Sequence, residues 1–402
     1  MQSLPDPASV WFVTADLSDS PLPAPAPEPP PGYLDAVGGQ PLLPAAMTAW
    51  RAAADQAWSD PARLHHAGRR AGMILDAARA SIAASLDVRP RDVFFTSSGP
   101  TAVSMAVQGL LRAAGPVSRR AVASAVESLA VLSPLEQWAE RVDRVRVDAL
   151  GRLDLPAFEE ALSEPAAVAC VQAANAEVGT RQPLEQAAAV ARAAGVPLVV
   201  HAVQVIGHGP VPREWDVLAA SARDWGGPAG VGILAVRPDV RWAPEETADR
   251  GWVGGFPDVP GAASAAAGLE YLAGSVDAEN LRLRGLVDRI RAEVPRRLAG
   301  VEVAGDPVDR LPHIVTFACE GVTGEALVGE LSRAGVSVAS GSACTSDIRM
   351  PSHVLAAMGL AADASVRASL PYGCSRDTVE ALLTALPAAV ATLRSGPASQ
   401  AG

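Results

Sequence analysis

Between residues 93 and 236 short apolar runs alternate with longer amphipathic stretches, and this alternation restricts the possible folds more than any other property of the sequence. The runs are VFFT (93–96), AVASAV (121–126), RVRV (144–147), AVACVQAA (167–174), PLVVHAV (197–203), VLAASA (217–222) and GILAV (232–236). Runs of this length, separated by helical periodicity, read as strands buried on both faces. Strands joined through helices form βαβ units, so the expected fold class is α/β. A large domain holds a mostly parallel seven-stranded sheet covered by helices, and a smaller C-terminal α+β domain follows. Ligand sites in such sheets belong in the loops at the carboxyl ends of the strands.

The flanking sequence sets the expected boundaries. Residues 1–31 end in PLPAPAPEPPP, which can enter neither helix nor central strand and reads as an extended, disordered leader. Helical periodicity runs from Pro44 to Trp58 and from Arg69 to Leu86. The large domain is expected over 32–260, with 32–50 packing on the small domain, which covers 261–393. That second unit contains a helix from Ala278 to Leu298, strands at His313–Phe317 and Val336–Ala339, and a last helix from Thr378 to Leu393. Residues 394–402 read as a tail.

Composition removes several classes of function. A net charge of -11 and a pI near 5.1, with no basic run, exclude a general nucleic-acid-binding role. No apolar stretch is long enough to span a bilayer and no secretory leader is visible, so no membrane role is expected and the default location is cytoplasmic. The four cysteines, Cys170, Cys319, Cys344 and Cys374, are widely spaced, which suggests neither a disulfide framework nor a zinc site. All 33 basic residues are arginine; the chain contains no lysine. Chemistry that needs a side-chain primary amine is therefore excluded.

The segment from Val336 to Leu360 carries the candidate nucleophile. Its Gly-Ser-Ala-Cys-Thr-Ser run is too small and flexible for a core strand and reads as a mobile loop presenting the Cys344 thiol, ahead of a helix starting near Pro351-Ser352.

Ten pieces of sequence occur in an order that resembles one known family: YLDAVGGQPLLP (33–44), LHHAGRRA (64–71), DVFFTSSGPTAV (92–103), SAVESLAVL (124–132), NAEVGTRQPL (175–184), HAVQVIG (201–207), SARDWGGPAGVGIL (221–234), RLPHIVTF (310–317), the Cys344 loop and VRASLPYG (366–373). Together they resemble the class V aminotransferase superfamily of fold-type I pyridoxal-phosphate (PLP) enzymes, and in particular the cysteine desulfurases. The resemblance implies a lysine that forms a Schiff base with the cofactor and a loop cysteine that leaves with sulfur as a persulfide. It places Cys344 at the persulfide position and Arg367 at the arginine that holds the substrate carboxylate. Thr101, Gln204 and Ser221 match polar cofactor-binding positions and are vestigial if the cofactor is lost.

Other positions depart from that pattern. The family's Ser-x-His-Lys-x-x-Gly-Pro stretch reads Ser221-Ala222-Arg223-Asp224-Trp225-Gly226-Gly227-Pro228 here, so Arg223 replaces the histidine and Asp224 the lysine. His201 stands where an aspartate would pair with the pyridine nitrogen, Ser128 where a histidine would stack on the ring, and Ala176 where an asparagine would meet the ring oxygen. Phe256 stands where a threonine would reach the phosphate from the other subunit. Lysine to aspartate moves the local charge about two units toward negative, and at an effective dielectric of about 20 each close like-charge contact costs a few kcal/mol. No bound cofactor is expected. His201 and Asp224 are expected to pair directly, with Trp225 and Phe256 filling the vacated volume, and a Cys344, His201 and Asp224 nucleophilic site is a further arrangement to test.

These observations leave three functional readings. In the first the chain is a desulfurase-like protein without autonomous activity. It accepts sulfur as a Cys344 persulfide or serves as a scaffold or regulatory partner. Its expected partners are a second copy of itself or an active desulfurase paralogue, together with a sulfur-acceptor protein. In the second the altered pocket performs lysine-independent chemistry. The third, a working PLP-dependent desulfurase, conflicts with the missing amine, which also serves as the proton shuttle.

Overall fold

A computed structural model describes residues 28–115, 118–245, 250–340 and 351–395. Most of the leader, the Cys344 loop and the end of the tail lie outside the described residues.

All seven expected strands form, in one sheet. They are β1 (Val93–Thr96), β2 (Arg120–Ser124), β3 (Arg141–Val145), β4 (Val168–Gln172), β5 (Leu198–His201), β6 (Val217–Ser221) and β7 (Gly232–Val236), in spatial order β1-β7-β6-β5-β4-β2-β3. The central pairs β2–β3, β2–β4, β4–β5 and β5–β6 are parallel, whereas β7 runs antiparallel to β6 and β1. Every residue of β2, β4, β5, β6 and β7 is buried, which explains why these runs read as continuous apolar stretches without alternation.

The order of the strands fixes where a ligand crevice can open. From β2 the chain passes through α4 (Leu129–Trp138) outward to β3, whereas from β4 it passes through α6 (Leu184–Ala193) to β5 on the other side. The connections leave in opposite directions, so β2 and β4 flank a topological switch point, and their carboxyl ends carry Ser128 and the 173–181 segment.

The small sheet contains β8 (Val301–Val303), β9 (Ile314–Cys319), β10 (Ala339–Ser340) and β11 (Ser365–Ser369), all antiparallel, in order β10-β11-β9-β8. Here the expected strand at 336–339 is displaced. Leu34 donates to the Ser337 carbonyl at 2.8 Å and Ser337 donates to the Gly32 carbonyl at 2.9 Å, so the N-terminal segment claims these groups before β10 begins. The same segment donates from Ala36 to the Ser369 carbonyl at 2.9 Å. The expected boundary at 260/261 falls inside α7 (Val259–Ala273), a helix with ten buried residues that packs on α1 (Pro44–Gln56) and α2 (His66–Leu86). Its small Ala and Gly side chains allow that close three-helix layer.

Candidate functional site

At the carboxyl edge of the sheet the switch point brings two polar side chains together. β2 turns into α4 through Ser128, the residue that precedes the helix, but the Ser128 hydroxyl does not cap it. The hydroxyl lies instead 3.2 Å from Nδ1 of His201, the last residue of β5. Both side chains are buried, and burial holds the His201 imidazole down at about 4, so it is neutral at pH 7.

His201 does not pair with Asp224, contrary to expectation. Asp224 lies in the 3-10 turn after β6 and accepts from Gln204 twice, through the backbone amide at 3.3 Å and the side-chain Nε2 at 2.8 Å. Gln204 adopts a left-handed conformation (φ 64°), rare for a residue with a side chain, and this conformation presents both groups to one carboxylate. Its Oε1 accepts from His313 Nε2 at 2.9 Å, which fixes the His313 tautomer. The rings of His313, His208 and Tyr372 stack, with centroids 3.6 and 4.6 Å apart, and the Tyr372 hydroxyl donates to the Gly207 carbonyl at 2.7 Å. Burial pushes the Asp224 carboxyl up to about 6, against the pull of Arg223 and Gln204, and lowers His208 to about 3.

A second cluster lies where the large domain meets the small sheet. Arg367 sits on β11 opposite Thr316 of β9, and the Thr316 hydroxyl donates to the Glu177 carbonyl at 2.6 Å. One guanidinium nitrogen of Arg367 donates to Asp35 at 2.9 Å; Nε and Nη1 are buried without an acceptor. Both carboxylate oxygens of Glu177 are likewise buried, with the Ser352 hydroxyl as the side chain placed to donate to them. Burial pushes Glu177 up to about 7, with Ser352 and Arg367 pulling it back. Glu127, beside Ser128, is fully buried, and burial pushes it up to about 8 against the backbone amides of Gln172 and Ser128.

The remaining expected residues fall into two groups. Thr101 and Ser221 lie near each other at the start of α3 (Gly99–Ala114), where a Cβ on Gly99 would come within 2.7 Å of the Ser221 Cβ. The Thr101 hydroxyl is engaged by Ser98 at 2.7 Å, and Thr101 lines a cavity of about 210 Å³ that also carries Glu245. Ala176 is half-buried and packs against the core. The expected filling of the pocket is not observed. Phe256 is 65% exposed, and Trp225 is buried with its indole donating to the Ala265 carbonyl at 3.0 Å under α7. Arg223 is partly exposed, points toward the Gly38 carbonyl (3.4 Å) and stands 4.0 Å from Asp224. The packed interior took the tryptophan and left the phenylalanine and the arginine outside. Cys344 lies outside the described residues, and without a His201–Asp224 pair the three-residue nucleophilic arrangement has no relay.

Sequence reasoning missed Glu127, Glu177, Asp35, His208 and His313. Glu127 and Glu177 stood inside quoted segments, but a glutamate beside a strand end reads as solvated until its burial is known. A cavity of about 820 Å³ lies at the opposite edge of the sheet, where Arg120 and Arg141 are already matched by Asp143 and Glu164. Among the described residues no group of three or more His, Cys, Asp or Glu side chains could hold a metal, and no helix is long and apolar enough to cross a membrane.

Comparison with known proteins agrees with this architecture. Residues 33–382 match the family described as Aminotransferase class-V. A cysteine desulfurase of Cereibacter sphaeroides is 35% identical over 376 residues, covering 90% of this chain and 96% of that protein. An IscS-like cysteine desulfurase of Mycobacterium tuberculosis is also 35% identical, covering 92% and 99%. A solved structure of a NifS-like protein superposes with a TM-score of 0.82 over 90% of this chain and 100% of that one; at 24% identity this likeness speaks for the fold. The chain therefore belongs to the class V aminotransferase family, on its cysteine desulfurase branch.

Proposed function

We propose that this protein takes part in sulfur transfer as a carrier of persulfide sulfur on Cys344, without binding PLP and without desulfurase activity of its own. The observation that carries this reading is the capture of Asp224, at the position matching the Schiff-base lysine, by Gln204 in a chain with no lysine. The cofactor's other contacts fit it no better. Gln204 spends its amide on Asp224 and its carbonyl on His313, Ser128 spends its hydroxyl on His201, and Thr101 spends its hydroxyl on Ser98. His201, neutral through burial, supplies no fixed negative charge. The buried carboxyl group of Asp224 would also meet an anionic phosphate ester, an unfavourable placement in a low-dielectric interior.

Sulfur exchange at Cys344 needs no amine. The Cys344 thiolate attacks the terminal sulfur of a donor persulfide, the donor's S–S bond breaks, the donor leaves as a thiolate, and the new S–S bond is on Cys344. No net oxidation occurs. The expected donor is an active desulfurase, as a separate enzyme or as the other half of a mixed dimer. The test incubates the purified protein with an active cysteine desulfurase, its cofactor and cysteine, and reads the mass of the Cys344 peptide. One added sulfur, absent from Cys344→Ala, is the expected result; an unmodified thiol in the presence of a working donor would overturn the reading.

A further inference from the structure

We propose that Ser128 and His201 form an acyl-transfer dyad at the switch point, in which the Ser128 hydroxyl takes the acyl group of a small uncharged thioester. This activity is separate from sulfur exchange at Cys344 and rests on the reading that no cofactor covers these two residues.

The chain assembles the parts of a serine nucleophile at this place. β2 ends at Ser124 and α4 starts at Leu129, so Ser128 stands at the passage from a parallel strand into a ten-residue helix. A serine on such a strand-to-helix turn presents its oxygen at the carboxyl edge of the sheet, beside the first amides of the helix. At the residue before a helix a serine side chain ordinarily bonds back to those amides, yet Ser128 makes no such bond. Its oxygen lies 3.2 Å from Nδ1 of His201 instead. A buried hydroxyl needs an acceptor, and Nδ1 is the one Ser128 meets among the described residues, so the hydroxyl donates and the imidazole proton sits on Nε2. The amides of Leu129 and Ala130 find no acceptor among the described residues. An amide directly after the nucleophile is the donor that serine acyl transfer uses for the developing oxyanion.

The surroundings select the substrate. The Gln172 and Asn175 amides donate to the Val126 carbonyl at 2.6 and 3.1 Å, and Glu127, pushed up to about 8, keeps its proton at pH 7. None of these side chains offers a fixed charge to an ionic substrate. Ser128 is 8% exposed and His201 5% exposed, which admits only a small acyl group. No carboxylate pairs with His201 among the described residues, and burial holds its imidazole at about 4. So weak a base draws off the serine proton poorly, and the acyl donor has to be reactive by itself. A thioester meets this demand, because a thiol, unlike an alcohol, ionises near neutral pH and leaves readily. In the step the Ser128 oxygen bonds to the carbonyl carbon, the C–S bond breaks, and the hydroxyl proton passes through His201 to the departing thiolate. Water then attacks the Ser128 ester, a carboxylic acid departs and the serine hydroxyl returns. Nothing is oxidised or reduced.

The full chain carrying Cys344→Ala, which removes the loop thiol and leaves three buried cysteines, is the protein to test. It is incubated with S-phenyl thioacetate or p-nitrophenyl acetate, uncharged acetyl donors on sulfur and on oxygen. The expected result is a burst of about one equivalent of thiophenol or nitrophenol, with an acetyl group located on Ser128 by peptide mass spectrometry. Ser128→Ala should abolish the burst, and His201→Gln should slow it at least about a hundredfold. Circular dichroism checks that each variant is folded, and the acetyl position in the Cys344→Ala chain decides the question if one is not. Acetyl on other residues only, or an unslowed burst in folded His201→Gln, would overturn the inference. Acetylation from the oxygen ester alone would overturn the thioester assignment. PLP retained on the same sample, read by absorbance, overturns the proposed function instead; the Ser128 mass is read in either case, so the two failures are told apart.

Discussion

Gln204 directs both its backbone and side-chain amides at the carboxylate of Asp224, at 3.3 and 2.8 Å, from a left-handed backbone conformation. The aspartate that stands where the sequence resemblance expects a lysine is therefore an integrated part of the fold. Asp224 orients Gln204, Gln204 orients His313, and the ring stack of His313, His208 and Tyr372 packs beyond them.

Asp224→Ala should consequently lower stability by about 1–3 kcal/mol, since two buried donors lose their acceptor. Asp224→Asn, which keeps one acceptor oxygen, should cost less. Thermal or denaturant unfolding of both variants measures the order, and equal stability of Asp224→Ala and the parent would refute the integrated role.

Asp224→Lys alone should not restore desulfurase activity. The amine would return, but His201, Ser128 and Ala176 would still stand where the resemblance expects the ring partners, and Gln204, the residue that meets position 224, offers a buried lysine no negative charge. Sulfide release from cysteine in the presence of added PLP checks this, with activity well above the parent as the contrary outcome.

The buried carboxyls give a signed pH dependence. Glu127 and Glu177 are raised to about 8 and about 7, so between pH 6.5 and 8 the folded chain holds more protons than the unfolded one. Stability contributed by these groups is present at low pH and is lost as pH rises through the folded values. The histidines lowered by burial act in the opposite sense only below their ordinary range. Unfolding free energy should fall from pH 6.5 to 8, by up to about 1.4 kcal/mol per pH unit for each group below its folded value, and the melting temperature should fall with it. Glu127→Gln should flatten the slope, and an unchanged slope would place the protons elsewhere.

Native protein should expose one reactive thiol. Cys170, Cys319 and Cys374 are buried, and burial pushes Cys319 and Cys374 up to about 11 and Cys170 well above its ordinary value. Iodoacetamide at neutral pH should therefore modify Cys344 first, with all four cysteines reacting only after denaturation. Equal labelling of Cys374 in the native state would contradict this.

Strand positions were legible because each parallel strand is buried on both faces and must be apolar throughout, as VACVQ in β4 illustrates. The position of β10 was not legible, because Ser337 is claimed by a segment some 300 residues earlier in the chain, a contact no local pattern encodes. Within the site the altered positions were visible as residue types, but their pairing was not. His201 and Asp224 suggest an ion pair by charge alone; burial makes His201 neutral, and the amides of Gln204 outcompete it for Asp224. Glu177 and Glu127 became candidates only once their burial separated them from ordinary surface glutamates.

The most direct test is cofactor stoichiometry. Protein purified from cells, and again after incubation with excess PLP and gel filtration, is read by absorbance and by native mass spectrometry. The account predicts no retained PLP in either preparation, together with persulfide on Cys344 after exposure to an active desulfurase. One equivalent of PLP per chain surviving gel filtration would contradict it.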